Sequence, residues 1–122
     1  MHALVVDDDR QLRELISEHL EHEGFEVTTA RDGQEALRLL HGGAAPDVIV
    51  LDDEMPRLKG SDLLARLRAE GHGVAVVLVS GSLALDAQEC ARLGVGPVVR
   101  KPVALQDLLQ AVSQAVGSRP SL

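Results

Sequence analysis

Short apolar runs alternate along this chain with longer segments in which apolar residues recur every three or four positions. The short runs are typical of buried strands, and the longer segments have the periodicity of helices that pack on one side. The runs that predict strands cover residues 3–6, 25–29, 48–51, 74–79 and 98–99. The stripes that predict five helices are Leu12, Leu15, Ile16 and Leu20; Ala36, Leu37 and Leu40; Leu63, Leu64 and Leu67; Ala87, Cys90, Ala91 and Leu93; and Leu105, Leu108, Leu109, Val112 and Val116.

Capping residues support the predicted helix starts, and the alternation of strands and helices indicates the fold class. Asp32 and Glu35 have the spacing of a capping box before the second helix, and Ser61 is placed to cap the third. Five strands, each apolar on both faces and each followed by a helix, predict an α/β fold with a parallel sheet covered on both sides. In such sheets ligands bind beyond the carboxyl ends of the strands, so that edge is where chemistry is expected.

Composition narrows the class of protein. The length of 122 residues suits one domain, and Phe25 is the sole aromatic residue, so the core must be aliphatic. A net charge of -7 disfavours direct binding to nucleic acid, which depends on cationic groups that neutralise phosphates. The single cysteine, Cys90, excludes an internal disulfide, and no run is long enough for a signal peptide or a membrane span. We therefore expect a cytoplasmic protein without membrane contact.

Polar residues with converging chemistry follow four of the predicted strands. Each one alone is explained as a helix cap or a solvated side chain, but carboxylates gathered at one edge repel by about 4 kcal/mol per pair at ~4 Å and an effective dielectric of 20. Such a cluster needs a counter-ion, and oxygen ligands without His or Cys favour Mg2+, or Mn2+ in its place. The residues are Asp7, Asp8 and Asp9 after the first strand, Asp52, Asp53 and Glu54 after the third, Ser80 after the fourth and Lys101 after the fifth.

A metal, three carboxylates and a lysine together are electrically balanced and can accept a phosphoryl group. In phosphoryl transfer, catalysis rests on positioning and on charge neutralisation, and a carboxylate can be the nucleophile. The strand-end residues therefore indicate phosphoryl transfer at this edge of the sheet.

In order and spacing, these motifs resemble the receiver domain of two-component response regulators, the CheY-like superfamily. The matching motifs are Asp7-Asp8, the run 52–56 (Asp-Asp-Glu-Met-Pro) with Gly60 beyond it, Ser80, and Lys101-Pro102, and the match covers essentially the whole chain. The resemblance implies a flavodoxin-like, doubly wound α/β fold with strand order 2-1-3-4-5 and five helices. Residues 1–117 would form the receiver domain, and residues 118–122 a short C-terminal tail or the start of a linker.

The resemblance also implies a phosphoacceptor and its metal ligands. Asp52 would take the phosphoryl group from a phosphohistidine, because the family places Met-Pro three and four residues beyond the phosphorylated aspartate. Asp8 would bind Mg2+ directly and Asp7 through water, and Asp52 and the backbone carbonyl of Glu54 would complete the ligands.

Two further groups are implied to act on the phosphoryl group, and others to modulate it. Ser80 would donate a hydrogen bond to it, Lys101 would pair with it, and Pro102 would fix the following turn through a cis peptide bond. Glu54 and Ser82 take the positions two beyond Asp52 and Ser80, where side chains in this family border the path of the hydrolytic water. Val98 stands where the family usually has Tyr or Phe, so the usual aromatic output device is missing.

The implied function is a phosphorylation-dependent signalling switch rather than a metabolic enzyme. Its donor would be a histidine kinase or a histidine phosphotransfer protein, and the aspartyl phosphate would be lost by slow self-dephosphorylation. A protein effector would bind the face made by the predicted fourth helix, fifth strand and fifth helix, and the chain would be a monomer or a phosphorylation-linked dimer.

Three other interpretations stay open. A haloacid dehalogenase-type hydrolase shares the chemistry, but Gln11 stands where that class has Thr or Val and there is no room for a substrate cap. A pseudo-receiver that binds partners without phosphate is favoured by Val98 and opposed by the intact strand-end residues. A receiver fragment of a hybrid kinase or a transcription regulator is the third; Met1 directly before the first strand favours a natural start.

Overall fold

The structure, a computed structural model, describes residues 1–55, 58–81, 92 and 94–117. Five strands and four helices lie in these parts of the chain. The strands are β1 (His2–Val6), β2 (Glu26–Ala30), β3 (Val48–Asp52), β4 (Ala75–Ser80) and β5 (Val98–Arg100). The helices are α1 (Arg10–His22), α2 (Gly33–His41), α3 (Gly60–Ala69) and α4 (Leu105–Gly117). The predicted helix that carries Ala87, Cys90, Ala91 and Leu93 lies outside the described residues.

The strands form one parallel sheet in the order β2-β1-β3-β4-β5, as predicted. Three strands run past their apolar stretch into polar residues: Asp52 pairs with Val79, and Ser80 pairs with Arg100. Backbone pairing does not depend on side-chain polarity, so hydropathy alone ends these strands too early. As a result Asp52 and Ser80 lie within the sheet itself, where the backbone holds them firmly.

Two aliphatic cores cover the two faces of the sheet. Alternate residues of β1 divide between them: Leu4 and Val6 belong to the core beneath α2 and α3, and Ala3 and Val5 to the core beneath α1 and α4. Phe25 lies only partly buried, against the second core. The prediction of an aliphatic core and of helices on both faces is confirmed. Among the described residues, no helix combines the length and apolar character needed to cross a membrane.

Side chains cap the first two helices. The Asp9 carboxylate accepts hydrogen bonds from Gln11 N and Leu12 N at the start of α1. The Asp32 carboxylate accepts from Glu35 N at the start of α2, which confirms one half of the predicted capping box, whereas the Glu35 side chain pairs with Arg31.

The start of α3 packs directly against the end of β3. A Cβ atom at Gly60 would lie 2.5 Å from the backbone oxygen of Asp52 and 3.0 Å from Asp53 Cα. Both neighbours are backbone atoms of the strand that carries the acidic residues, so neither can yield without moving that strand. Gly60 therefore allows the helix to support the acidic end of β3.

We expect Gly60→Ala to lower the free energy of unfolding by about 1–3 kcal/mol, because the added methyl group forces the two backbones apart. The measurement is urea unfolding followed by far-UV circular dichroism, since the chain has no Trp and no Tyr. Gly73→Ala is the matched control, because nothing lies within 4 Å of a Cβ there. Equal stability of Gly60→Ala and wild type would contradict the close approach.

Candidate phosphoryl-transfer site

The carboxyl ends of β1, β3, β4 and β5 bring the predicted polar residues together at one edge of the sheet. Asp7 and Asp8 follow β1 directly, Asp52 ends β3 and Ser80 ends β4. Lys101 follows β5, and its backbone N–H donates to the carbonyl of Ser80 at 3.0 Å. The register of a parallel sheet thus converts residues distant in sequence into one site.

Asp52 is the most enclosed carboxylate of the site, with 1% of its surface exposed. Its Oδ1 atom accepts hydrogen bonds from Glu54 N at 3.0 Å and from Lys101 Nζ at 3.1 Å. Its Oδ2 atom is buried and has no hydrogen-bond partner among the described residues. A buried carboxylate oxygen without a donor is costly, so this oxygen is suited to a cation or an electrophile.

Three carboxylates converge at this edge. Asp7, Asp8 and Asp52 each offer an oxygen, and these oxygens lie within 4.8 Å of one another. Asp7 is 2% exposed, whereas Asp8 is open to solvent, so the group is reachable from outside. An all-oxygen set of this size, together with the unpartnered Asp52 oxygen, fits a hard divalent cation.

The same convergence changes the acidity of Asp7. Burial, reinforced by the negative charges of Asp52 and Asp8, raises the pKa of the Asp7 carboxyl from 3.8 to about 6. A hydrogen bond from Asp9 N and the charge of Lys101 oppose that rise. The Asp7 carboxyl therefore keeps its proton to a higher pH than an ordinary Asp, and it ionises as pH rises through about 6.

Lys101 is the cation that the fold supplies. Burial disfavours its charged form, but the hydrogen bond that Lys101 donates to Asp52 and the charges of Asp52, Asp7 and Glu54 outweigh that effect and raise its pKa. The Lys101–Pro102 peptide bond is cis, as the resemblance implies. Ser80, completely buried at the end of β4, lies on the strand between Asp52 and Lys101.

The neighbouring acids Asp9 and Asp53 accept hydrogen bonds from backbone N–H groups at helix starts. Asp9 caps α1, and the Asp53 carboxylate accepts a hydrogen bond from Ser61 N at 3.0 Å. The prediction that Ser61 caps α3 is wrong: the helix begins at Gly60, and Asp53 reaches across to satisfy the donor that a cap would take. The two adjacent aspartates therefore differ in their contacts: the Asp53 carboxylate is bonded to the start of α3, whereas Asp52 keeps a buried oxygen without a partner among the described residues.

Two of the predicted modulating residues, Glu54 and Val98, make different kinds of contact. The Glu54 side chain, 47% exposed, reaches Gly81 N with Oε1 at 2.9 Å and lies 4.0 Å from Lys101 Nζ with Oε2. Val98 pairs with Leu78 and packs half-buried against the core beneath α2 and α3. Ser82 lies outside the described residues.

Two contributors were missed by the sequence reasoning. Gly81 offers a backbone N–H beside the site, and Arg13 donates from Nη1 to the carbonyl of Asp7 at 2.8 Å. A glycine directly after Ser80 was a visible signal for a close backbone approach. The Arg13 contact had no such signal, because it depends on how α1 is placed over the turn after β1.

Comparison with known proteins decides the family. The model of the response regulator receiver domain matches residues 3–113, which is most of the chain. The chain belongs to the response regulator receiver family. This receiver domain is 38% identical over 108 residues to response regulator MprA from Mycolicibacterium vanbaalenii, covering 87% of this chain and 46% of that protein.

Two further relatives agree with this assignment. The probable transcriptional regulatory protein TcrX from Mycobacterium tuberculosis is 37% identical over 109 residues, which cover 88% of this chain and 46% of that protein. The crystal structure of a CheY-like receiver domain protein from Methanospirillum hungatei superposes with a TM-score of 0.87 at 26% identity, covering 95% of this chain and 93% of that one. The receiver domain thus has the flavodoxin-like fold and spans about half the length of these curated relatives.

The raised pKa of Asp7 predicts that Asp7→Asn stabilises this receiver domain at neutral pH. The folded pKa of about 6 lies above the unfolded value of 3.8, so the carboxyl destabilises the fold increasingly as pH rises from 4 through 6. In EDTA we expect Asp7→Asn to raise the free energy of unfolding by about 1–3 kcal/mol at pH 8, and by almost nothing near pH 4.

Urea unfolding at the two pH values is the measurement, with Asp62→Asn on the exposed face of α3 as the control that shows no gain. Millimolar Mg2+ should stabilise wild type more than Asp7→Asn, because the cation relieves the same repulsion. A gain for Asp7→Asn that is equal at both pH values would contradict the electrostatic explanation.

Proposed function

We propose that this receiver domain is a phosphorylation-dependent switch in which Asp52 accepts a phosphoryl group. The observation that carries the proposal is the state of the Asp52 carboxylate: it is buried, one oxygen is held by Lys101, and the other has no partner among the described residues. Purely structural carboxylates, such as those of Asp9 and Asp53, have their hydrogen bonds satisfied by helix donors.

The proposed transfer takes its phosphoryl group from a phosphohistidine of a kinase or a phosphotransfer protein. One oxygen of Asp52 attacks phosphorus and forms an O–P bond. The P–N bond of the phosphohistidine breaks, its electron pair returns to the imidazole, and the imidazole takes up a proton. Attack by water on phosphorus later releases inorganic phosphate and restores the carboxylate.

Asp7, Asp8 and the second oxygen of Asp52 are the residues that would hold Mg2+, or Mn2+, with the backbone carbonyl of Glu54 beside them. The bound metal supplies charge neutralisation to the phosphoryl oxygens. As the resemblance to the family implies, Asp8 would be the direct ligand and Asp7 would act through water. Asp7 takes part as the anion, and a bound cation would lower the pKa that burial and the neighbouring carboxylates raise.

Lys101 and Ser80 are the proposed contacts of the phosphoryl group on the protein side. The Lys101 ammonium lies 3.1 Å from Asp52, so a group bonded to that carboxylate comes within its reach. The Ser80 hydroxyl is a further donor at the end of the adjacent strand. Ser80 ends β4 and Lys101 directly follows β5. A displacement of either side chain toward the phosphoryl group would therefore also displace the strand to which it belongs.

The proposed output depends on the charge that phosphorylation adds at this edge of the sheet. A phosphoryl group adds about -1.5 to -2 charges, and full switching needs about 5.5 kcal/mol of differential stabilisation. With Val98 in place of a ring, this must come from the displacement of β5 and α4 themselves. The proposed readout surface comprises β5, α4 and the predicted helix before them, and its partner is a protein effector, a second copy or a further domain.

The test is incubation with Mg2+ and acetyl phosphate followed by intact mass measurement. Wild type should gain one phosphoryl adduct, which requires the metal and disappears in EDTA. Asp52→Asn should gain none, because an amide is not a nucleophile toward phosphorus. Asp53→Asn is the matched control: it makes the same change one residue away and should keep the adduct.

An adduct on Asp52→Asn, or no adduct on a folded wild type, would overturn the proposal. A pseudo-receiver predicts the second result. A third result would divide the proposal: phosphorylation of the wild type without any change in oligomeric state or effector binding. Asp52 would then remain the acceptor, but the switch function would be contradicted.

A further inference from the structure

The Glu54 carboxylate contacts the residues that follow the ends of β4 and β5. Its Oε1 accepts a hydrogen bond from Gly81 N at 2.9 Å, and its Oε2 lies 4.0 Å from Lys101 Nζ. Glu54 follows β3, whereas Gly81 follows β4 and Lys101 follows β5. One half-exposed side chain therefore links the loops beyond three neighbouring strands.

Of the two groups near the Glu54 carboxylate, Lys101 contacts Asp52 directly, and Gly81 follows the strand that pairs with the Asp52 strand. Lys101 Nζ is simultaneously 3.1 Å from Asp52 Oδ1, so the lysine is shared between two carboxylates. Gly81 directly follows Ser80, and the N–H of Asp53 donates to the Val79 carbonyl one residue earlier on the same strand. An anionic group built onto Asp52 would thus meet the same ammonium and the same backbone N–H that the Glu54 carboxylate occupies.

We propose that Glu54 is an internal competitor for the phosphoryl group, a carboxylate that must release Gly81 N–H and Lys101 before Asp52 can be phosphorylated. The inference rests on the proposed function and assigns Glu54 a positioning role there. Its negative charge also opposes the approach of an anionic donor, because the two carry the same sign beside a single lysine. Removal of the side chain leaves the Glu54 backbone carbonyl, the proposed metal ligand, in place.

Gly81 makes this contact available. A Cβ atom at Gly81 would lie 2.8 Å from Glu54 Oε1, closer than real Cβ contacts come. That nearest atom is the end of a flexible side chain, so Gly81→Ala should displace the carboxylate rather than the backbone. Gly81→Ala removes the hydrogen bond between Glu54 and Gly81 but keeps the Glu54 charge. Its effect on phosphorylation therefore reports the contact rather than the charge.

The first test reads the contact in the resting protein by the amide proton shift of Gly81 in NMR spectra. A carboxylate acceptor shifts a bonded amide proton downfield, so the resonance should move upfield in Glu54→Ala. Glu54→Gln retains an oxygen acceptor and should move it less. Glu26→Gln, the same change at an exposed position on β2, should leave it where it is.

The second test is the rate of phosphorylation by acetyl phosphate at saturating Mg2+, followed by intact mass. Glu54→Ala should raise the second-order rate constant about three- to tenfold, the effect of one charge-assisted hydrogen bond at a partly exposed site. Glu54→Gln should fall between wild type and Glu54→Ala, Gly81→Ala should also be faster than wild type, and Glu26→Gln should equal wild type.

The outcomes separate this inference from the proposed function. A Gly81 resonance that does not respond to Glu54→Ala would overturn the inference whatever the rates are. A released Gly81 amide with unchanged or slower phosphorylation of Glu54→Ala would also overturn it, while the adduct itself would keep Asp52 as the acceptor. No adduct on any variant, Glu26→Gln included, would overturn the proposed function and the inference together.

Discussion

A buried carboxylate, Asp52, is the constraint on which the rest of this structure depends. It lies at the end of a central strand with 1% of its surface exposed, close to two other carboxylates, and its stability depends on nearby positive charge. Lys101 supplies one such charge at 3.1 Å. One lysine does not balance three carboxylates, and burial together with the charges of Asp52 and Asp8 raises the pKa of Asp7. Binding of a divalent cation is expected to stabilise a site of this kind.

The fold explains why so few residues suffice for this arrangement. In a parallel sheet every strand delivers its last residue to the same edge, and the pairing of β1, β3, β4 and β5 brings the residues at or just beyond their carboxyl ends into one cluster. The close approach of Gly60 to Asp52 anchors α3 beneath the acidic end of β3. At the edge that faces solvent, the half-exposed Glu54 side chain reaches Gly81 N and approaches Lys101.

Much of this architecture was predictable from the sequence, because apolar periodicity reports burial directly. The strand order, which the family resemblance implied, and the aliphatic core, which the composition implied, also agree with the structure. The strand-end acids meet at one edge of the sheet, as expected. The strand ends were placed too early at Asp52 and Ser80, because backbone pairing continues under polar side chains. Ser61 was mistaken for a cap because a contact from Asp53, eight residues earlier in the chain, takes that role. The bridge from Glu54 to Gly81 depends on side-chain direction across two loops, which no local pattern encodes.

The central claim is that Asp52, and not a neighbouring carboxylate, forms the bond to phosphorus. Borohydride reduction tests this directly, because it converts an aspartyl phosphate to homoserine and leaves free carboxylates unchanged. After treatment of the wild-type protein with acetyl phosphate and Mg2+, reduction and peptide mass spectrometry should find homoserine at position 52 alone. Homoserine at position 53, 7 or 8, or its absence from a protein that carries the adduct, would contradict the account.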